Sequence, residues 1–342
     1  MESDRVKFIT PTTIGNFFDR LEQLATIGQY TPGMIANFDE TMVQCTAKKL
    51  SVVGHAESNE FYVQQQNEMP HITLGVCVFA DGSHAPHLVI YPLKKLPPEV
   101  DIKFLQLYPK SVFCGQPSGW ISTEILENHL IKTVIPHFLS QRQKTGASHR
   151  GLLLIDGHSS RINPKLWETF KNNDIDVMTF VSHSSHILQP LDLCVFGAFK
   201  SYLRGGMSAL KQLTLGRKRA AVMERAFDSL YHALSPRNVQ VGFEKAGVYP
   251  LDRNVPLGHS AINRDPTTPP IPSRKRYSVI NLDGDTLTSD EAIKRMTERD
   301  NTPSHPRGRP KGSSRKAAKK TSTSTPYDDS NSEYEENNSG EG

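Results

Sequence analysis

The first regular pattern in the chain is Ile14, Phe17, Phe18, Leu21 and Leu24, apolar side chains at the three- and four-residue spacing of one helix face. Pro11-Thr12-Thr13 just ahead of it predicts where that helix opens. The period then changes. Met34–Asp39 predicts a brief strand that stops at an acid, and Leu50–Val53, Ile72–Phe79 and His87–Tyr91 predict three more. The last two are joined by Ala80-Asp81-Gly82-Ser83, whose Asp-Gly pair is a strong hairpin signal. Helical spacing returns in Ile121, Ile125, Leu126, Leu130, Ile131, Val134 and Ile135, a helix after Ser122 that Pro136 should bend or end.

Gly151–Asp156 is apolar until it, too, stops at an acid, as a buried strand would be. Asn163-Pro164 caps and starts a helix carrying Leu166, Trp167 and Phe170. Val177–Val181 predicts another strand. A helix from about Leu191 points Val195, Phe196, Phe199 and Leu203 inward until Gly205-Gly206 breaks it. Two more helices fit Arg219–Leu234 and Ser235–Ala246, the second with Ser235 as cap and Pro236 in its first turn. Hairpin-linked strands followed by strand–helix–strand–helix predict an α/β fold, a mixed sheet with helices on both faces.

Periodicity stops near Ile280, and Pro, Ser and Thr become dense after Leu251. From Pro303 to Lys320 there are seven basic residues and no acidic one; from Tyr327 to Gly342 there are six acidic residues and no basic one. Such blocks bury too little apolar surface to offset chain entropy. The expected division is therefore a folded domain over residues 8–252 and a disordered tail over 253–342. With 37% hydrophobic residues in 342, the whole is neither collagen-like nor largely disordered. No apolar run approaches the roughly 20 residues of a membrane span, and the opening MESDRVKF has no apolar core of a secretory leader. Membrane and secreted classes are thus not expected. Cys45, Cys77, Cys114 and Cys194 lie 32, 37 and 80 positions apart, which suits reduced, buried thiols and not a zinc cage.

Three carboxylates stand where regular elements stop: Asp39, Asp156 and Asp192. The 36 positions from Asp156 to Asp192 leave room for one strand–helix–strand excursion that returns the third acid beside the second. Ligands in open α/β sheets gather at the carboxyl ends of strands. Facing carboxylates repel unless cations or protons neutralise them, and hard oxygen donors select Mg²⁺ or Mn²⁺. Two such ions would activate water and stabilise a departing 3′-oxygen in phosphodiester cleavage. An acid at a strand end is also a common cap or turn residue, so spacing alone leaves both readings open.

The motifs NFDET (37–41), FADG (79–82), SGW (118–120), LLLIDGHSS (152–160), SHSSHILQPLDLCVFGAFK (182–200) and GFEKAGVYP (242–250) occur in that order. In this the chain resembles the DDE superfamily endonucleases, in particular the pogo/Tigger/jerky/centromere-protein-B branch of Tc1/mariner-type transposases. The resemblance implies an RNase H-like fold with a mixed five-stranded sheet flanked by helices, and cut-and-paste DNA chemistry with two Mg²⁺ or Mn²⁺ ions. By motif it implies that Asp39, Asp156 and Asp192 are the catalytic, metal-holding triad, Asp39 and Asp192 each holding one ion and Asp156 bridging. Members of that branch generally carry helix-turn-helix domains ahead of the core at which this sequence starts. Three local departures (Arg161 after Ser160, Val181 in place of a Pro-rich lead-in, Met42 in place of a small residue) leave every carboxylate in place.

Around the triad, His158 is expected to orient a phosphate or water or to serve the turn. His186 and Gln189 are expected to fix the loop that aims Asp192. Glu40, neighbour of Asp39 on a strand, should point to the opposite face. Trp120 and Trp167 are expected in the core, in preference to base stacking. Lys94-Lys95, Lys200 and Arg217-Lys218-Arg219 either track phosphates or are solvated charge. In the tail, Arg307-Gly308-Arg309-Pro310-Lys311 resembles an AT-hook, thin enough for a narrow A·T minor groove, with a nuclear localisation signal as a compatible reading. The expected partner is DNA, cleaved at the acids and held by the tail, in the nucleus. A homodimer is compatible with the sequence. A second function stays open: a catalytically silent chromatin protein, host-adopted, that binds through the tail.

Overall fold

The computed structural model describes residues 9–43, 71–96, 111–145, 149–157, 163–206, 215–262, 284 and 286–300. The expected strand Leu50–Val53, His158 and the tail segment Arg307–Lys311 lie outside these residues. Six strands form one sheet: β1 (Ile35–Val43), β2 (Ile72–Phe79), β3 (Leu88–Tyr91), β4 (Val112–Gly115), β5 (Gly151–Ile155) and β6 (Ile175–Thr179), in the order β4-β3-β2-β1-β5-β6. β2 alone runs antiparallel to its neighbours; β1 with β5, β5 with β6 and β3 with β4 are parallel. This is the RNase H-like mixed sheet that the motifs implied, widened from five strands to six. The additional member is β4, four residues with Val112 36% exposed. Too short and too wet to show a period, it is a strand only because β3 lies beside it.

Strand alternation sorts the interior into two layers. On one face, Ile35, Val43, Leu74, Val76, Leu152 and Leu154 pack against Phe17, Phe18, Phe196, Phe199 and Phe243 from the flanking helices. On the other, Phe38, Cys77, Leu153 and Ile155 meet Leu126, Phe138, Trp167 and Phe170. The opening helix starts where Pro11 predicts, with Thr10 and Thr13 exchanging side-chain and backbone bonds as a capping box. Pro136 neither ends nor sharply breaks its helix. Thr123–His129 passes through a wide turn at Leu130–Val134 and continues as Ile135–Thr145. Proline has no N–H to offer the turn before it, and the widened turn absorbs that loss.

The folded part also takes in more chain than residues 8–252. Leu287, Ala292 and Met296 are buried in the second layer, carried by Thr286–Ser289 and the helix Asp290–Asp300. Leu287 N–H donates to the Val177 carbonyl at 2.7 Å, and Val177 N–H to Thr288 Oγ1 at 3.1 Å. One amphipathic helix among polar neighbours gives too thin a local signal to separate it from the tail.

Candidate active site

The backbone sets the acids side by side before any side chain is considered. β1 and β5 are parallel, with Phe38 opposite Ile155, so Asp39 and Asp156 occupy the next level of adjacent strands. Asp39 pairs with Val76 and shares its face with Ile35 and Val43. Glu40 falls on the other face by alternation. Asp192 comes from the turn that follows Pro190, a wide helical turn at Leu191–Val195 that continues as the helix Phe196–Gly206.

One side chain links two of the three. Gln189, 1% exposed, donates through Nε2 to Asp39 Oδ2, and the same nitrogen lies 3.3 Å from Asp192 Oδ2. Two carboxylates from distant parts of the chain therefore converge on one donor. Gln189 Oε1 is buried with no hydrogen-bond partner. Burial pushes the Asp192 carboxyl above the usual carboxylate range; Lys200 opposes this, Asp156 adds to it and His186 opposes it. Asp156 is thus close enough to act on Asp192 through its field. Among the described residues, no three of His, Cys, Asp or Glu are grouped tightly enough to hold a metal ion by themselves.

The positioning groups include one that sequence reasoning passed over. Asn37, fully buried, donates through Nδ2 to the Leu154 carbonyl at 3.1 Å and accepts the Leu191 N–H on Oδ1 at 3.0 Å. Its three anchor points are two residues before Asp39, two before Asp156 and one before Asp192. A lone amide in an apolar run gives no periodic signal, so only the NFDET motif could have drawn attention to it. Gly242 acts from the other side. A Cβ there would stand 2.5 Å from the Pro190 carbonyl oxygen, so the helix Pro236–Lys245 presses on the Asp192 turn as closely as it does only with glycine at that place.

The remaining candidates divide. His186 lies in the short helix Ser185–Leu188, its ring 6.2 Å from that of His259, and burial lowers its pKa. Lys200 sits over the Phe196 ring at 5.9 Å and within the field of Asp192. Trp167 is fully buried as expected, but Trp120 is 56% exposed. The apolar spacing around it belongs to the helix that begins at Thr123, and Trp120 precedes that helix. Asp176 shows what a structural acid looks like here. It takes a fork from Arg150, Nε at 2.9 Å and Nη2 at 2.8 Å, and the Tyr30 hydroxyl at 2.6 Å. It lies at the opposite end of β6 from the triad.

Residues 70–239 match the model of the family described as DDE superfamily endonuclease. The chain belongs to that family. The matched stretch of this DDE superfamily member contains Asp156 and Asp192; Asp39 precedes it and arrives through β1. Among curated proteins the chain is similar to the protein named MFS-type transporter clz9 of Cochliobolus lunatus, 29% identical over 141 residues. The match covers 41% of this chain and 15% of that protein's length. No helix among the described residues is long and apolar enough to cross a membrane. Among solved structures, a pre-cleavage Mos1 transpososome is 12% identical, with 71% of this chain and 62% of that chain covered and a TM-score of 0.46. The Mos1 mariner paired-end complex with Mn is 13% identical, with 75% and 65% covered and a TM-score of 0.45. The Mos1 catalytic domain with Raltegravir and Mn is 12% identical, with 71% and 97% covered and a TM-score of 0.40. The chain spans less than two thirds of the first two Mos1 chains, and its fold assignment rests on strand order and direction.

Proposed function

We propose that this DDE superfamily member is a transposase-derived, divalent-cation-dependent domain that cuts DNA or transfers its strands, with Asp39, Asp156 and Asp192 as the working acids. The observation that carries the reading is the convergence of Asp39 and Asp192 on the single Gln189 amide, with Asp156 at the adjacent strand level. An amide nitrogen with its partial positive charge between two carboxylates marks a place that suits a cation. All the donors there are hard oxygens, and Gln189 Oε1 is one more, buried and unpartnered. Mg²⁺ typically keeps several waters and takes one or two carboxylates plus substrate phosphates. That habit fits a site whose acids are gathered but do not by themselves close a three-ligand cage. Asp39 and Asp192 would each hold one ion, with Asp156 shared between the two.

Bound there, the cations supply a more acidic water and a counter-charge for the phosphoryl oxygens. The chain's own residues do the rest. Gln189 keeps two like charges from separating, Asn37 fixes the height of all three carboxylates, and Lys200 offsets the charge of Asp192. The motif order supports the pogo/Tigger branch and DNA as substrate. The Arg307–Lys311 motif supports a second, tail-borne grip on A·T-rich DNA and a nuclear location. The test is nicking of supercoiled plasmid with Mg²⁺ or Mn²⁺. Activity is expected from the wild type and none from Asp192→Asn; equal nicking by both would remove the triad from the mechanism. The silent chromatin-protein reading is favoured instead if no nicking occurs while Arg309→Ala abolishes a gel shift selective for A·T-rich duplex.

A further inference from the structure

Trp120 is held out to solvent by a purpose-built turn. Gln116 N–H donates to the Tyr91 carbonyl at 2.8 Å, which fixes the turn at the end of β4 to the end of β3. Gly119 N–H closes it on the Gln116 carbonyl at 2.8 Å. Gly119 has φ +71 and stands hard against the His71 carbonyl, where a Cβ would come within 2.7 Å, so both the backbone conformation and the space demand glycine. From beneath, Thr73 Oγ1 donates to the Gly119 carbonyl at 2.7 Å, and Trp120 N–H meets Ser118 Oγ at 3.3 Å. The indole rests edge-on against the His71 ring, centroids 4.4 Å apart at 61°. Burial lowers the His71 pKa, so that this support is neutral near pH 7. The SGW motif is thus a rigid display of an aromatic ring that remains 56% exposed.

Its place in the sheet matters as much as its rigidity. β2 begins at Ile72, opposite Val43, at the carboxyl end of β1, which is the end that carries the acids. His71 lies one step further out. Counted along the strands, His71 stands about five levels beyond Asp39, roughly 17 Å at the rise of a β-strand, and Thr73, which holds the turn, faces the side of the sheet opposite Asp39. A flexible strand of DNA whose phosphate reaches Asp39 would meet the ring by passing over that end of the sheet.

We infer that Trp120 is a stacking platform for an unpaired nucleobase of the DNA bound at the acidic site. The inference rests on the DNA reading given above. A fixed, half-exposed indole offers a flat π-face at little cost in side-chain entropy, and any base can stack on it regardless of sequence. Double-stranded DNA hides those faces, so the preferred ligand is single-stranded, or duplex with frayed or unpaired nucleotides near the cleavage point.

The chain has two tryptophans, and Trp167 is fully buried, so intrinsic fluorescence reports Trp120 against a constant background. Full-length protein is titrated with a labelled (dT) oligonucleotide, following label anisotropy for binding and tryptophan emission for stacking. Emission should be quenched in step with binding. Trp120→Phe should remove the quenching and keep most of the affinity, whereas Trp120→Ala should weaken binding by roughly tenfold or more. Binding with unchanged emission, or full affinity in Trp120→Ala, would overturn the inference while leaving the DNA reading intact. No anisotropy change at any concentration would count against DNA binding itself. Emission that shifts with protein concentration in the absence of DNA would assign Trp120 to a contact between two copies, and so refute the stacking role.

Discussion

Removing the Gln189 side chain tests whether Asp39 and Asp192 truly converge on one spot. In Gln189→Ala both carboxylates lose the shared Nε2 donor. A hydrogen bond to a charged group contributes about 1.5–3 kcal/mol; with two such bonds, the one to Asp192 long at 3.3 Å, the loss is on the order of 3 kcal/mol. Against this, Gln189 Oε1 is buried without a partner, and deleting it returns about 1–2 kcal/mol. The net fall is about 1–2 kcal/mol, or roughly 2–8 °C in Tm for a domain of this size. Gln189→Glu should fall further, because it sets a third negative group against the same two. A cation should reverse the order. Ligand at a hundred times its Kd stabilises by about 2.7 kcal/mol, and the charged variant has most to gain. The assay is thermal melting in EDTA and in a Mn²⁺ series. If Gln189→Glu melts with the wild type in EDTA, or gains no more from Mn²⁺, the two acids do not share a seat.

Three further outcomes follow from the same geometry. Asn37→Ala should leave Leu191 N–H and the Leu154 carbonyl without their partner, costing about 1–3 kcal/mol. Hydrogen exchange over residues 187–195 should then accelerate more than exchange in β2, and uniform acceleration would deny Asn37 a specific hold on the Asp192 turn. Gly242→Ala should push the helix Pro236–Lys245 off Pro190, lowering Mn²⁺ affinity in calorimetry by severalfold more than an alanine at exposed Gly197, where no atom stands within 4 Å of the added Cβ. His87 and His129 are buried, and burial pulls their pKa values down to about 3 and about 4, with His84 and His129 adding to the effect at His87. Depressed histidines contribute stability that is present above about pH 6.5 and is lost as pH falls toward those values. For His129 the loss is on the order of 2–3 kcal/mol. His129→Leu, which also deletes two unpartnered ring nitrogens, should melt at or above the wild type and lose less between pH 6.5 and 4.5; an unchanged slope would contradict this.

What could be seen from sequence was whatever repeats or punctuates. The run of β5 is apolar from end to end and that of β2 nearly so, with Thr73 as its polar member, and Asn163-Pro164 and Ser235-Pro236 mark helix starts that the structure places at Pro164 and Pro236. Asp39 and Asp156 stood out because each closes an apolar stretch, although β1 runs on past Asp39 to Val43, and Asp192 stood out by its motif. Features made by partners and not by period stayed hidden. β4 exists through its pairing with β3, Asn37 matters through two backbone groups more than a hundred positions away, and Trp120 sits beside an apolar helix without belonging to it. The wide turn at Leu130–Val134, just ahead of Pro136, likewise has no signal in local propensity.

The segment Thr286–Thr288 lies along the outer side of β6, where Met178 bridges Thr286 and the Val177 backbone is bonded in both directions. An uncovered parallel edge strand is an invitation to pair with another chain. A shortened protein ending near residue 255 would keep every acid and yet strip that cover, along with Leu287 and Met296 from the layer beneath. Its failure would come as self-association and poor solubility, so work on an isolated core is best begun with chains that reach residue 300.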